Sequence, residues 1–201
     1  MSALTDLYRE IQTCQRCGLH KTATRAVPGE GPEDSKLMFV GEAPGFHEDQ
    51  QGRPFVGAAG QFLEGLLASI GLKRDQVFIT NIVKHRPPNN RDPLPGEIIA
   101  CRPWVQKQIE IIRPKVIVTL GRYSMEMFFP GKSISRIHGT GQDKDGVIYF
   151  AMYHPAAALH QQSLRQAIEA DMLKIPALVQ EIENEPAKTG EQPTQLKMFE
   201  L

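Results

Sequence analysis

The residues of this 201-residue chain that can do chemistry gather in a few short stretches. The first reads Gly41-Glu-Ala-Pro-Gly45, then Glu48-Asp49, then Gly52-Arg-Pro-Phe-Val-Gly57, with Gly60 close behind. Glycines let a backbone approach a ligand closely, and a helix that follows offers its N-terminus to an anion. An inert strand-to-helix turn accounts for the same glycines. Glu42, Glu48 and Asp49 can position a water or coordinate a cation, or they form a solvated face. Phe55, between Pro54 and Val56, is either a core plug or a stacking surface for a flat ligand. Asn81 carries an amide that donates and accepts at once and so can read a base edge, although turns also favour Asn. His154, ahead of Pro155, can donate a hydrogen bond to a developing oxyanion, or it is structural. Cys14-x-x-Cys17 and the distant Cys101 are metal ligands or ordinary buried thiols.

The elements that must position these residues alternate. Leu4, Leu7, Tyr8 and Ile11 recur at helical spacing and run into Cys14 and Cys17. Residues 36–40 form an apolar run that stops at Gly41, as a buried parallel strand would, and 57–72 reads as a helix with Phe62, Leu63, Leu66, Leu67 and Ile70 on one side. Strand, loop and helix follow again over 76–83, a Pro- and Asn-rich stretch to Asp92, and 95–112, where Glu97 favours the N-terminal dipole. Residues 115–120 and 121–129 repeat the pair. A last strand over 146–152 and a closing helix over 163–179, with Ser163 as N-cap, complete the body. This order predicts an α/β fold with a mostly parallel sheet covered on both faces. Ligands of such sheets sit outside the carboxyl ends of the strands, where the stretches 41–60, 81–92 and 154–159 lie.

Composition bounds the function. Lys+Arg and Asp+Glu are equal at 23, which excludes a protein that holds nucleic acid by bulk charge alone. No apolar run nears the roughly 18–20 residues of a membrane span, and the early Asp6, Arg9 and Glu10 do not fit a signal peptide, so a cytoplasmic protein is expected. Residues 181–201 read as a disordered acidic tail, with Glu181, Glu183, Glu185, Glu191 and Glu200 against Lys188 and Lys197. The single domain expected over 1–180 then carries a net charge of +3. Lys84, Arg86 and Arg91 are its candidate basic patch, with salt-sensitive affinity for a polyanion.

Taken together, the 41–57 stretch, Thr80-Asn81 with Lys84 and Arg86-Pro-Pro-Asn-Asn-Arg91, and His154-Pro-Ala-Ala-Ala-Leu159 closely resemble family 4 uracil-DNA glycosylases, the iron–sulfur type. The resemblance runs from Cys14 to about Leu178. It implies a three-layer α/β/α sandwich around a four-stranded sheet, and hydrolysis of the N-glycosidic bond of uracil flipped out of DNA, leaving an abasic site for base-excision repair. By position, Gly41, Ala43, Pro44, Gly45, Phe55 and Asn81 would hold the uracil, Phe55 by stacking and Asn81 by its edge. His154 would face O2, and one of Glu42, Glu48 and Asp49 would orient the attacking water. Leu159 is a candidate wedge, and Arg165, Arg86 and Arg91 are candidate DNA contacts. His138 and Arg136 are DNA-facing or structural. The alternatives are a uracil- or damage-binding module with little or no turnover, and a phosphate-handling α/β enzyme.

The resemblance also implies a [4Fe–4S] cluster held by four cysteines. Three match Cys14, Cys17 and Cys101; the fourth position is His85. Imidazole is a competent iron ligand, so a cluster with three Cys and His85 is expected, with zinc on the same residues as the alternative. A three-iron cluster, or one whose fourth ligand is not His85, also fits. At the far end, Gln195-Leu-Lys-Met-Phe199 resembles the short peptide that binds the bacterial DNA sliding clamp, through Gln195, Leu196, Met198 and Phe199. A monomer associated with the nucleoid is the expected form.

Overall fold

The computed structural model describes residues 2–184. In chain order its elements are α1 (Ala3–Gln12), β1 (Leu37–Gly41), α2 (Phe46–Gln51), α3 (Ala58–Ser69), β2 (Phe78–Asn81), α4 (Pro95–Ile112), β3 (Val116–Leu120), α5 (Arg122–Phe128), α6 (Ile134–Ile137), β4 (Gly141–Lys144), β5 (Val147–Met152), α7 (Gln162–Met172) and α8 (Ile175–Asn184). The sheet order is β2-β1-β3-β5-β4. All neighbours run parallel except the edge strand β4, which is antiparallel to β5.

Side chains alternate across a strand, and here both faces are apolar. Met38, Val40, Ile117, Tyr149 and Ala151 face α1, α4 and α5 through Leu7, Ile11, Trp104, Ile109 and Phe128. Phe39, Val118, Ile148 and Phe150 face α3, α7 and α8 through Leu63, Leu67, Ile168, Met172 and Ile175. The expected three-layer sandwich is therefore formed, with five strands rather than four. The added β4 returns on Asp145 and Gly146, both at positive φ (55° and 77°), the two-residue turn that matches the twist of a hairpin.

Two further expectations are corrected. The closing helix over 163–179 is two helices, because Pro176 has no N–H to continue α7 and instead sits in the first turn of α8. Its N-cap is Gln161, not Ser163. The helix α8 also carries the fold four residues into the stretch 181–201. The candidate clamp peptide, Gln195, Leu196, Met198 and Phe199, lies outside the described residues. No helix among the described residues is long and apolar enough to cross a membrane.

The loops after β1 and β3 leave for opposite faces, β1 leading to α3 and β3 to α5. Such a reversal opens a crevice at the carboxyl edge of the sheet.

Candidate active site

A cavity of about 400 Å³ occupies that crevice. From the loop after β1 it takes Glu42, Ala43, Pro44, Gly45, Glu48 and Phe55; from the ends of β2 and β5, Asn81 and His154; and from the loop after β2, Arg91. These nine were singled out from sequence. Ala59, Pro87, Asn90 and Ala156 complete the wall and were not. Pro87 and Asn90 stand inside the Arg86–Arg91 motif, so the signal was present.

Asn81 ends β2 with its side chain 2% exposed, and its Oδ1 has no hydrogen-bond partner. A buried acceptor left unpaired is costly unless a ligand completes it. Gly41, opposite Asn81 in the ladder, is required by this packing: a Cβ there would overlap Asn81 Oδ1 and come within 2.6 Å of the Phe55 ring.

Phe55 is buried yet lines the cavity, at a φ of 51° that a bulky residue seldom adopts. Arg74 holds it there: Nη1 donates to Phe55 O at 2.8 Å and Nη2 to Pro54 O. Glu30 in turn binds Arg53 through two bonds of 2.7 and 2.8 Å and pairs with Arg74. No sequence signal ties Arg74 to Phe55, because the link is made by tertiary packing. Gly60 passes so close to Phe55 O that a side chain there would collide. The Phe55 and His154 rings lie 5.6 Å apart at 26°.

His154 Nδ1 accepts from Ala156 N at 3.1 Å. Loss of solvation holds the imidazole down at about 4, against the opposing pull of Glu48. The ring is therefore neutral at pH 7, with its proton on Nε2.

The three carboxylates separate into different roles. Glu48 is a staple: Oε1 accepts from Val56 N (2.8 Å) and Gly57 N (2.9 Å), and Oε2 from Gly45 N (3.1 Å). Asp49 is buried and does not line the cavity; it accepts from Thr24 N at 2.8 Å and Arg25 N at 3.4 Å and fastens the N-terminal segment. That corrects its place among the water-positioning candidates. Glu42 lines the cavity; its backbone carbonyl accepts from Val83 N at 3.0 Å, while its carboxylate accepts no hydrogen bond from a described residue. Burial, helped by Asp92 and opposed by Arg122, raises its pKa to about 7.

The basic patch is smaller than expected. Lys84 is fully buried and cannot reach a polyanion. Its amino group donates to Thr80 Oγ1 (2.7 Å), Asn81 O (2.8 Å) and Gln108 Oε1 (2.8 Å). Arg91 sits at the cavity wall, paired through both nitrogens with Glu97 at 2.6 and 2.9 Å. Arg86 donates to Asn90 Oδ1 at 2.6 Å and lies 5.1 Å over the exposed ring of Phe46. Leu159 is 45% exposed beside the His154 turn. Arg165 lies apart on α7, bonded to Glu169 at 2.9 Å and stacked over Phe62. His138 Nδ1 is 2.7 Å from Asp171 Oδ2, and its ring packs on Tyr153.

The candidate metal ligands are all buried or nearly so. Trp104 Nε1 donates to Cys14 Sγ at 3.2 Å, and Lys84 N to Cys101 Sγ at 3.4 Å. Proximity to Cys101 lowers the Cys17 thiol below its usual range, and proximity to Cys17 together with burial raises that of Cys101. His85 Nδ1 is buried with no partner. Sulfurs supported by N–H donors and an unpaired imidazole nitrogen fit a thiolate and imidazole donor set. Among the described residues, no three His, Cys, Asp or Glu side chains converge on one point to hold a single ion.

The model of the uracil DNA glycosylase superfamily matches residues 28–175. The type-4 uracil-DNA glycosylase of Archaeoglobus fulgidus is 48% identical over 187 residues, covering 89% of this chain and 94% of its own. That of Sulfurisphaera tokodaii is 49% identical, covering 89% and 86%, and that of Thermotoga maritima 42%, covering 84% and 91%.

Proposed function

The chain belongs to the uracil-DNA glycosylase superfamily, and we infer that it is a type-4 enzyme that removes uracil from DNA and leaves an abasic site. The observation that carries this reading is the unpaired, buried Asn81 Oδ1 in the cavity wall. Uracil offers the complement: its N3–H donates to Oδ1 and its O4 accepts from the same amide. Cytosine reverses the donor and acceptor, so it leaves buried groups unpaired and is refused.

The base enters by leaving the stack, since its glycosidic bond is out of reach inside a duplex. Phe55 then supplies a face for the ring. As the bond between C1′ and N1 breaks, its electron pair passes to the uracil, and negative charge grows on O2. The neutral His154 donates from Nε2 to that oxygen, in a site where desolvation strengthens the bond. Glu42 holds the water that adds to C1′ and takes its proton, a role its free carboxylate and pKa of about 7 support. Glu48 keeps the loop closed around the base through Gly45, Val56 and Gly57. Arg86, Arg91 and Leu159 would meet the DNA around the cavity mouth.

Cys14, Cys17, Cys101 and His85 would hold an iron–sulfur cluster, as the resemblance implies. When bound, it would cross-link the N-terminal segment, the loop after β2 and α4, a structural role.

The test is an oligonucleotide carrying one uracil, treated with alkali after incubation, with Asn81→Ala run alongside. Cleavage at the uracil that the variant loses is the expected result. Binding without cleavage by the parent protein would refute the enzyme and leave a damage-reading module.

A further inference from the structure

Lys84 carries a buried amino group whose three partners are all neutral: Thr80 Oγ1, Asn81 O and Gln108 Oε1. An ammonium inside a protein is expensive, and an apolar residue of similar shape commonly serves a fold as well or better. The fold alone gives no reason for lysine here. Its neighbours do.

The side chain of Asn81 has an unpaired Oδ1, so hydrogen bonding at that atom does not fix its aim. The backbone is the handle, and Lys84 Nζ grips it at Asn81 O, 2.8 Å away. Lys84 is itself fixed from two further directions. Its N–H donates to Cys101 Sγ and its carbonyl accepts from Val27 N at 2.7 Å. Gln108, on α4 with Cys101, completes the frame by donating to Pro28 O at 2.6 Å, the same oxygen that Thr80 Oγ1 donates to at 2.9 Å. Lys84 Nζ thus meets three acceptors, and the frame has no slack.

We propose that Lys84 is a positioning residue that sets the depth and angle of Asn81 and so governs recognition of uracil, joining the pocket to the Cys101 segment. This rests on the reading of Asn81 given above. Lys84 touches no substrate; it acts through the Asn81 carbonyl. Losing it lets the end of β2 relax by tenths of an ångström, which a bidentate base contact does not tolerate.

The experiment compares Lys84→Met with the parent protein. It measures inhibition by free uracil, kcat and KM on a single-uracil oligonucleotide, affinity for the same DNA with no uracil, and thermal melting. The expected result is a folded variant inhibited by uracil about tenfold or more less tightly, with affinity for uracil-free DNA within about twofold. A folded variant whose uracil inhibition stays within about twofold of the parent overturns the proposal. An equal loss on uracil-free DNA also overturns it, because that marks a general structural effect. Should Lys84→Met fail to melt cooperatively, Thr80→Val decides by the same uracil measurement, since it keeps the shape and removes one of the three acceptors. A parent protein that excises no uracil removes the functional reading itself. Excision by the parent with an unaltered Lys84→Met removes only this inference.

Discussion

The backbone N–H of Ala156 donates to His154 Nδ1 at 3.1 Å, so a contact two residues along the chain settles which ring nitrogen faces the cavity with its proton. Nδ1 is occupied as an acceptor, and a pKa of about 4 keeps the second proton off. In the proposed mechanism the donor to uracil O2 is then a neutral imidazole already in place before the bond breaks. Replacing His154 by Ala should lower kcat about 100- to 1,000-fold, the usual cost of one donor to a developing oxyanion, with a much smaller effect on KM. Single-turnover rates and KM on a uracil oligonucleotide check this. A raised KM with kcat unchanged would show that His154 binds ground and transition states alike.

The same depressed pKa has a consequence for folding. In the unfolded chain His154 takes a proton near pH 6.5, whereas in the fold it does so only near 4. Stability from this group is complete above about 6.5 and is lost as pH falls towards 4. Urea midpoints should drop over that window, and the drop should shrink in His154→Ala.

Glu42 governs the opposite kind of profile. A pKa raised to about 7 means that the carboxylate able to take a proton from water is half formed at neutrality. Excision should rise with pH through about 7 and flatten above it. Asp92 pushes this pKa up, while Arg122, which is paired with Asp92, pulls it down. Asp92→Asn removes the first effect and frees Arg122 for the second, so the rise should move to lower pH. A pH–rate profile of kcat is the measurement. An unshifted profile would take Glu42 out of the role of base.

How far these roles could be read beforehand varied with the range of the interactions. The helix Pro95–Ile112 was legible to both ends, because Pro95 and Glu97 signal its start and the apolar spacing is regular. The strand β4 was missed because Gly141–Lys144 is polar and exposed, although Asp145-Gly146 was a readable turn signal. The short helix α2 was hidden inside the loop assigned to chemistry. Within the site, residues defined by motif spacing, such as Glu42, Phe55, Asn81 and His154, arrived together in one cavity. Those defined by long-range packing did not show: Arg74 reaches Phe55 and Gln108 reaches Lys84 from far along the chain. Lys84 was expected in a basic patch with Arg86 and Arg91, since lysines are seldom fully buried, and its three acceptors accompany its burial.

Gly41 gives a sharp steric test. A methyl group there meets Asn81 Oδ1 and the Phe55 ring together, the two surfaces expected to hold the base. Gly41→Ala should abolish inhibition by free uracil and cost about 1–3 kcal/mol of stability through overpacking. Gly65, on the helix α3 with open space around it, is the control, where Ala should leave uracil inhibition unchanged and raise stability by about 0.5–1 kcal/mol through helix propensity. Uracil inhibition that survives Gly41→Ala would place the base elsewhere.

His85 is where the proposed metal group can be tested. Its Nδ1 is buried and unpaired, while Cys14 and Cys101 receive N–H donors from Trp104 and Lys84. Protein purified without oxygen should contain iron and acid-labile sulfide, and His85→Ala should lose part or all of both. The cross-link would join the Cys14–Cys17 segment to α4, so metal loss should also lower the melting temperature and expose residues 13–25 to protease. His85→Cys supplies a thiolate in place of the imidazole and should keep the iron. In a cluster it should lower the reduction potential, since imidazole in place of thiolate raises it. Zinc in place of iron in the parent protein, with sulfide absent, would refute the cluster and assign the same four side chains to a Cys₃His ion site.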